Sequence, residues 1–357
     1  MRTIILGFNI ANSSVSDFFL ELSNQLSGEF KIIIISNSFK EENFFISPQI
    51  EIFHWPSGTP TNYKNLVFLY RKLKEYNPIT MISVFGAVNP FLILGCLFNV
   101  KNRIAWCRSI SKQFEVKKWK LKRKKYIYEL ASVIYANSHS TKKDLVENYG
   151  INEIKIEVFY NAVKDYKIQK PEVQKNKLVY VGRMSPSKRV DVLLKAMPAV
   201  LLHFPDVELK LIGGVLEGEE ILRYKKICQN LRIQKNVFFV GNKSKQNVLE
   251  EFATSYLTIV PSIVEAFGFV VIESFSVSTP VIGSRTSGIA EIIRDGIDGF
   301  LFKSQDEGEL ANNIITLLEN ENLGNAFREN CYQGFQENFE LNKAINELKQ
   351  KFIQLTI

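Results

Sequence analysis

Short apolar runs alternate along the chain with stretches of helical period. Thr3–Gly7, Lys31–Ser36, Thr80–Phe85, Arg103–Cys107 and Ser132–Asn137 are mostly continuous Ile, Val and Phe rather than in-out alternation, which predicts strands covered on both faces. Asp17–Leu26 and Asn62–Glu75 carry apolar residues at helical spacing, and strand–helix alternation of this kind predicts a parallel sheet with helices on both faces. A polar connector from Lys164 to Lys177, rich in Lys, Gln, Asp and Glu and holding Pro171, interrupts the pattern and marks a domain boundary. The series then restarts with Leu178–Gly182, Glu208–Ile212, Val237–Val240, Leu257–Pro261, Pro280–Ser284 and Gly299–Phe302. Two doubly wound α/β domains in tandem leave a cleft, and in such sheets ligands bind outside the carboxyl ends of the strands.

Two segments test that reading. Tyr76 to Val100 is uncharged and exceeds the roughly 20 residues needed to cross a bilayer. It also holds Asn77, Pro78, Gly86, Asn89, Pro90 and Asn99, which favour a buried strand, a loop, and a helix with Pro90 at its first position, where the missing N–H costs nothing. The apolar run at the start stops at Asn9, too short for a signal-peptide core, and reads as the first strand.

A length of 357 residues fits two domains, and 46 % hydrophobic with 23 % charged residues excludes a disordered chain. Cys96, Cys107, Cys228 and Cys331 lie far apart with no C-x-x-C pair, so neither a zinc ribbon nor a disulfide framework is expected, and a reducing, cytoplasmic setting fits best. The formal net charge of +8 is local: Ser111–Lys125 holds eight basic residues against Glu115, a net +7. One basic patch facing an anionic partner is expected, not a nucleic-acid binder basic all over.

Two loops carry candidate chemistry. In Val181-Gly182-Arg183-Met184-Ser185-Pro186-Ser187-Lys188 a strand ends, Ser185 caps and Pro186 opens a helix, and Arg183 and Lys188 stand where backbone N–H groups already favour anions. Two cations there suit a diphosphate; the same spacing also suits an ordinary strand–loop–helix with solvated basic residues. In Pro261 to Glu273, Glu265 and Glu273 frame an otherwise apolar run around Gly268. Were the segment wholly helical, the two carboxylates would lie about 12 Å apart, beyond the ~5–9.5 Å that lets a pair flank one scissile bond. They suit an elongated ligand gripped at two places. No D-x-D triplet occurs, so a two-carboxylate metal grip is not expected.

With Thr279–Ser284 and Ser287–Leu301 following, the order of loops resembles the retaining glycosyltransferases of family 4, which have the GT-B fold: two doubly wound Rossmann-like α/β domains facing a central cleft. The motifs are V-G-R-x-x-x-x-K, E-x-F-G-x-x-x-x-E and G-x-x-E-I-I-x-D-G-x-x-G-F-L, in that order. The resemblance covers the C-terminal half and, more weakly, the N-terminal one. It implies an acceptor-binding domain over residues 1–168, a nucleotide-sugar domain over 169–335, and a final helix, 336–357, crossing back to the first domain. It implies further that Arg183 and Lys188 hold the donor diphosphate, that Glu265 lies near the transferred sugar as the catalytic carboxylate, and that Glu273 accepts from the ribose hydroxyls. Backbone N–H groups of Phe267, Gly268 and Phe269 would face sugar and phosphate, and Gly214, Asn242 and Lys243 would line the side where the base is read.

The departures from the family pattern lie in the N-terminal half. The family's Gly-Gly loop after the first strand is replaced by Asn9 to Ser14, with Asn12 and Ser13 as candidate contacts. Its sugar-side His is replaced by Trp106-Cys107-Arg108-Ser109, where Arg108 is a candidate stand-in. His54 and His203 sit in poor contexts, and His139 reads as a helix-start residue or an N-domain contact. Lys117, Lys118, Lys120, Lys122, Arg123, Lys124 and Lys125 interleave with Trp119, Leu121 and Tyr126, as suits a surface resting on anionic headgroups and equally a solvated helix face. The expectation is a metal-independent hexosyltransferase without cofactor, cytoplasmic and peripheral on the membrane. It would take a UDP- or GDP-sugar and act on a lipid-linked or cell-surface glycan acceptor in bacterial polysaccharide assembly. A nucleotide-sugar epimerase on the same architecture and a non-catalytic nucleotide-sugar-binding subunit are the alternatives.

Overall fold

The computed structural model describes residues 1–37, 45–58, 60–113, 118–166, 172–214 and 218–356. The chain divides into two compact units: Met1–Ala162 with Leu341–Ile357, and Val163–Glu340.

Unit 1 runs β1 (Thr3–Gly7), α1 (Ser14–Leu26), β2 (Lys31–Ser36), β3 (Glu51–His54), α2 (Tyr63–Tyr76), β4 (Thr80–Val84), α3 (Val88–Leu97), β5 (Asn102–Cys107), α4 (Lys118–Tyr128), β6 (Val133–Ala136), α5 (His139–Glu147) and β7 (Ile156–Val158). Unit 2 runs β8 (Gln174–Val181), α6 (Val190–His203), β9 (Glu208–Ile212), α7 (Glu219–Leu231), β10 (Val237–Gly241), α8 (Lys245–Thr254), β11 (Ser255–Val260), α9 (Phe269–Phe275), β12 (Val281–Ser284), α10 (Ile289–Ile292), β13 (Gly299–Phe302), α11 (Glu307–Glu319) and α12 (Glu321–Asn338). A last helix, α13 (Leu341–Thr356), belongs to unit 1.

Both sheets are parallel. The seven strands of unit 1 lie in the order β3-β2-β1-β4-β5-β6-β7 and the six of unit 2 in the order β10-β9-β8-β11-β12-β13. Strands β1, β4 and β11 are buried at every residue, as expected where helices cover both faces. Each order reverses once, between β1 and β4 and between β8 and β11, and the crevice outside the carboxyl ends at such a reversal is where doubly wound sheets bind ligands.

Local signals explain the helix starts. Ser13 accepts from the Ser16 N–H at 3.2 Å to cap α1, and Ser138 accepts from the Thr141 N–H at 2.9 Å to cap α5. Pro90 is the third residue of α3 rather than the first, because the helix starts at Val88 on a short turn over Phe85–Ala87; it still falls in the first turn, where an N–H has no intrahelical acceptor. The core of unit 1 centres on Trp106, which meets Phe18 and Phe19 edge-on at 5.4 and 5.1 Å, a geometry worth about 0.5–1.5 kcal/mol per pair beyond area burial. Among the described residues no helix is long and apolar enough to cross a membrane.

Candidate active site

In unit 2 the loop after β8 is set by the strand before it. Tyr180, buried in β8, donates its hydroxyl to the Arg183 carbonyl at 2.8 Å, and burial pushes this phenol well above the usual range, so it remains a donor. Arg183 is exposed. Pro186–Lys188 make a single turn of 3-10 helix, Arg189 takes a left-handed backbone with φ 49°, and α6 starts only at Val190. This corrects the expectation of one helix capped by Ser185. The Ser185 side chain caps no backbone N–H; its hydroxyl lies 3.2 Å from that of Ser187. The cause is Arg189, whose φ breaks the helical path and whose guanidinium closes on Asp191 through two hydrogen bonds of 2.9 Å.

The break directs Lys188 toward the loop after β11. Its ammonium is paired with the carboxylate of Glu265, and the Ile263 N–H donates to the Ser187 carbonyl at 3.0 Å. Two loops placed at the reversal between β8 and β11 are thus joined by one ion pair and one backbone hydrogen bond.

Glu265 is held from its other side by the loop between β12 and α10. The Gly288 N–H donates to the Glu265 carbonyl at 3.0 Å, and the Glu265 N–H donates to the Ser287 hydroxyl at 3.4 Å. Ser284 and Thr286 both give their hydroxyls to the Ser262 carbonyl. At Gly288 a side chain is barred: an added Cβ would stand 2.4 Å from the Phe267 Cα. These four residues fix the backbone that carries Glu265, a part the motif order does not assign to them; the signal for it is the cluster of small hydroxyl residues around Arg285 that ends in Gly288 between two apolar elements.

Gly268, with φ 114°, precedes α9, on which Glu273 sits half-buried. The Phe267 side chain is buried and meets the rings of Phe269 and Phe339 edge-on at 6.1 and 6.0 Å. Gly214 lies beside Met184 in the turn after β9, and the Gly213 N–H ties that turn to the Gly241 carbonyl at 2.8 Å. Asn242 and Lys243 follow at the end of β10.

The Lys243 ammonium is engaged by Glu251 of α8, which also takes Lys177 at 2.6 Å and Lys210 at 3.4 Å. Burial alone would raise Glu251, but hydrogen bonds from Lys177 and Lys243 and the charges of Lys177 and Lys210 outweigh it and bring the carboxyl down to about 2. Gln174, Asn247, Glu250 and Thr254 complete a cavity of about 350 Å³ beside these lysines.

The unit 1 candidates lie on separate elements. Asn12 is exposed, whereas the Ser13 hydroxyl is committed to capping α1. Arg108, just past β5, is buried with its guanidinium 5.7 and 5.5 Å from the Phe18 and Phe19 rings, and burial pulls it down to about 9. His139 is the exposed first residue of α5, 6.1 Å from the Tyr160 ring.

Of the basic patch, Lys117 and the side chain of Lys118 lie outside the described residues. The rest forms α4. Trp119 and Tyr126 are 57 % and 63 % exposed and share a face with exposed Lys122 and Arg123, the latter 5.5 Å from the Trp119 ring. Leu121 and Ile127 pack inward, Lys120 lies 5.8 Å from the Trp119 ring, and Lys124 lies 5.8 Å from the Tyr128 ring with Lys125 also half-buried. Among the described residues no group of three or more His, Cys, Asp or Glu could hold a metal ion.

Residues 163–334 match the family model for glycosyl transferases group 1. An uncharacterized glycosyltransferase of Methanocaldococcus jannaschii is 30 % identical over 231 residues, 62 % of each chain. N-acetyl-alpha-D-glucosaminyl L-malate synthase of Bacillus anthracis is 30 % identical over 226 residues, 58 % of this chain and 57 % of that one. The matched region therefore spans about three-fifths of either relative. In three dimensions the chain superposes on Anabaena HepE in complex with UDP with a TM-score of 0.82 at 16 % identity, covering 99 % of this chain and 100 % of that one. Sucrose-phosphate synthase from Thermosynechococcus elongatus gives 0.81 at 17 % identity, covering 100 % and 99 %. With two parallel Rossmann-like sheets and these superpositions, the chain has the GT-B fold, and its residues 163–334 match the glycosyl transferases group 1 family.

Proposed function

We propose that the chain transfers a hexose-type sugar, with retention and without a metal, from a UDP- or GDP-sugar to a lipid-linked or cell-surface glycan in polysaccharide assembly. The observation that carries this reading is the Lys188–Glu265 ion pair at the reversal point of the unit 2 sheet. It puts a cation suited to a diphosphate against a carboxylate suited to a sugar. In the reaction the bond from the anomeric carbon to the diphosphate breaks, its electron pair leaves with the diphosphate, and a bond to the acceptor oxygen forms as that hydroxyl loses its proton to the leaving group. Arg183 and Lys188 neutralise the charge that develops on the leaving diphosphate, the role a metal would otherwise fill. Glu273 takes the ribose hydroxyls, the backbone of Phe267 to Phe269 faces sugar and phosphate, and Gly214, Asn242 and Lys243 line the base side. That HepE was solved with UDP and with UDP-glucose supports a nucleotide-sugar donor.

The exposed Trp119, Lys122, Arg123 and Tyr126 face supports a resting place on anionic headgroups at the cytoplasmic face of a membrane. Residues 1–168, 169–335 and 336–357 are proposed as acceptor domain, donor domain and returning helix.

Calorimetric titration with UDP-, GDP- and ADP-sugars, without added metal, tests the donor site. Saturable binding to one nucleotide, lost when Arg183 and Lys188 are both changed to Ala, is the expected result. No binding to any donor by the folded protein would overturn it and bring forward a chain that keeps the fold without the transfer.

A further inference from the structure

The reversal point of the unit 1 sheet lies between β1 and β4, and the residue directly after β4 is Phe85. Its backbone is left-handed, with φ 52°, a strained conformation for a bulky residue. Burial does not compensate that strain, because the ring is 56 % exposed. The fold therefore keeps a strained aromatic in solvent at the edge where doubly wound sheets bind ligands.

A second exposed ring stands at the start of α2, where the adjoining loop ends. An added Cβ at Gly86 would lie 3.3 Å from the Pro60 Cγ, so the loop between β3 and α2 rests on the turn after β4. That loop runs into Asn62, the cap of α2, and Tyr63, which is 77 % exposed. Both loops share one floor. Trp55 is buried and meets Phe68 of α2 at 6.1 Å and Phe91 of α3 at 6.2 Å. Ser57 and Asn65 close the loop with two reciprocal hydrogen bonds of 2.9 Å.

Resting on the transferase reading, we propose that Tyr63 and Phe85 form an aromatic platform on which a pyranose ring of the acceptor stacks. A pyranose offers a face of C–H groups to the electron-rich face of an aromatic ring, while its hydroxyls need polar neighbours at the rim. Asn62 and Lys64 flank Tyr63 in the sequence, and Asn89 follows Phe85 by four residues. An acyl chain would call for a continuous apolar surface instead, and these polar flanks do not provide one.

Phe85→Gly is the informative variant, because glycine takes a positive φ without strain. The full chain is assayed for melting temperature, affinity for the nucleotide found by calorimetry, transfer to a panel of p-nitrophenyl hexosides, and binding to an array of immobilised glycans. The expected result is an unchanged or raised melting temperature, unchanged nucleotide affinity, and an acceptor KM raised at least tenfold or array binding lost; Tyr63→Ala moves the same readouts by a smaller factor. The platform is overturned if Phe85→Gly equals wild type on both acceptors and array, if it lowers the melting temperature by more than 5 °C, or if the wild type binds no sugar on the array. Failure of the wild type to bind any nucleotide is a separate outcome, and it sinks the transferase reading itself.

Discussion

Lys188 and Glu265 stand 77 residues apart in sequence, yet the ammonium of one is paired with the carboxylate of the other. Without a donor each neutralises its partner. In the proposed reaction a diphosphate entering beside Arg183 would compete with Glu265 for Lys188, so donor binding would exchange one ion pair for another and release the carboxylate toward the sugar.

Glu265→Gln removes that competition. Transfer should fall at least ~100-fold, in line with the loss of one electrostatic contact in a closed site. Nucleotide affinity should stay within a few-fold of wild type and shift toward tighter binding. Turnover and calorimetry on the same preparation decide it; a large loss of nucleotide affinity would mean that Glu265 serves to hold the nucleotide.

Gly288→Ala should damage the same carboxylate from behind. The new methyl would stand 2.4 Å from the Phe267 Cα and 2.6 Å from its N and O, so backbone must move, at a cost of about 1–3 kcal/mol. Transfer should drop together with the melting temperature. Gly28→Ala, where nothing lies within 4 Å of the added carbon, is the silent control, and equal behaviour of the two variants would refute the account.

Glu251 should make unit 2 acid-sensitive. Its folded pKa, about 2, is below the ordinary carboxylate value, so its stabilisation is complete above the unfolded pKa and is lost as pH falls through the mid-fours toward 2. Glu251→Gln should cost about 3 kcal/mol at pH 7, since it leaves nearly buried Lys177 without its counter-charge. The gap to wild type should narrow near pH 3. Urea denaturation at the two pH values measures it, and a gap independent of pH would exclude the ion-pair explanation.

On α4, Lys122→Glu with Arg123→Glu should weaken binding to vesicles containing anionic phospholipid at least ~20-fold, at about 1 kcal/mol per basic residue removed. Lys124→Gln should matter less, because its ammonium lies near the Tyr128 ring. Cosedimentation showing equal binding for all three proteins would remove the membrane proposal.

The central strands were legible because residues buried on both faces leave short, mostly apolar runs, as in Ile32–Ile35 and, around Thr258, Leu257–Val260. The edge strands β3 and β7 were not. Glu51–His54 and Ile156–Val158 are short, partly exposed and mixed in polarity, so no periodicity separates them from loop. In the site, the loops that carry Lys188 and Glu265 could be named from motif order. Their pairing could not, since it depends on the left-handed backbone of Arg189, a residue type with no preference for that region. The Glu251 network was equally hidden, because Lys177, Lys210 and Lys243 reach it from three separate segments and each reads alone as a surface lysine.

Helix α13 gives unit 1 an order of assembly. Leu341, Ile345, Leu348 and Phe352 enter the same core as Phe18, Phe19, Leu22 and Leu26 of α1, and the Leu355 carbonyl accepts from the Asn102 side chain at 3.3 Å. During synthesis the unit begun first is therefore closed last: α1 keeps an apolar flank open until α13 is made, while the continuous stretch Val163–Glu340 can finish its own core in the meantime. No single cut in the gene can release unit 1 whole, and a fragment ending at Ala162 would present that uncovered flank as an aggregation surface.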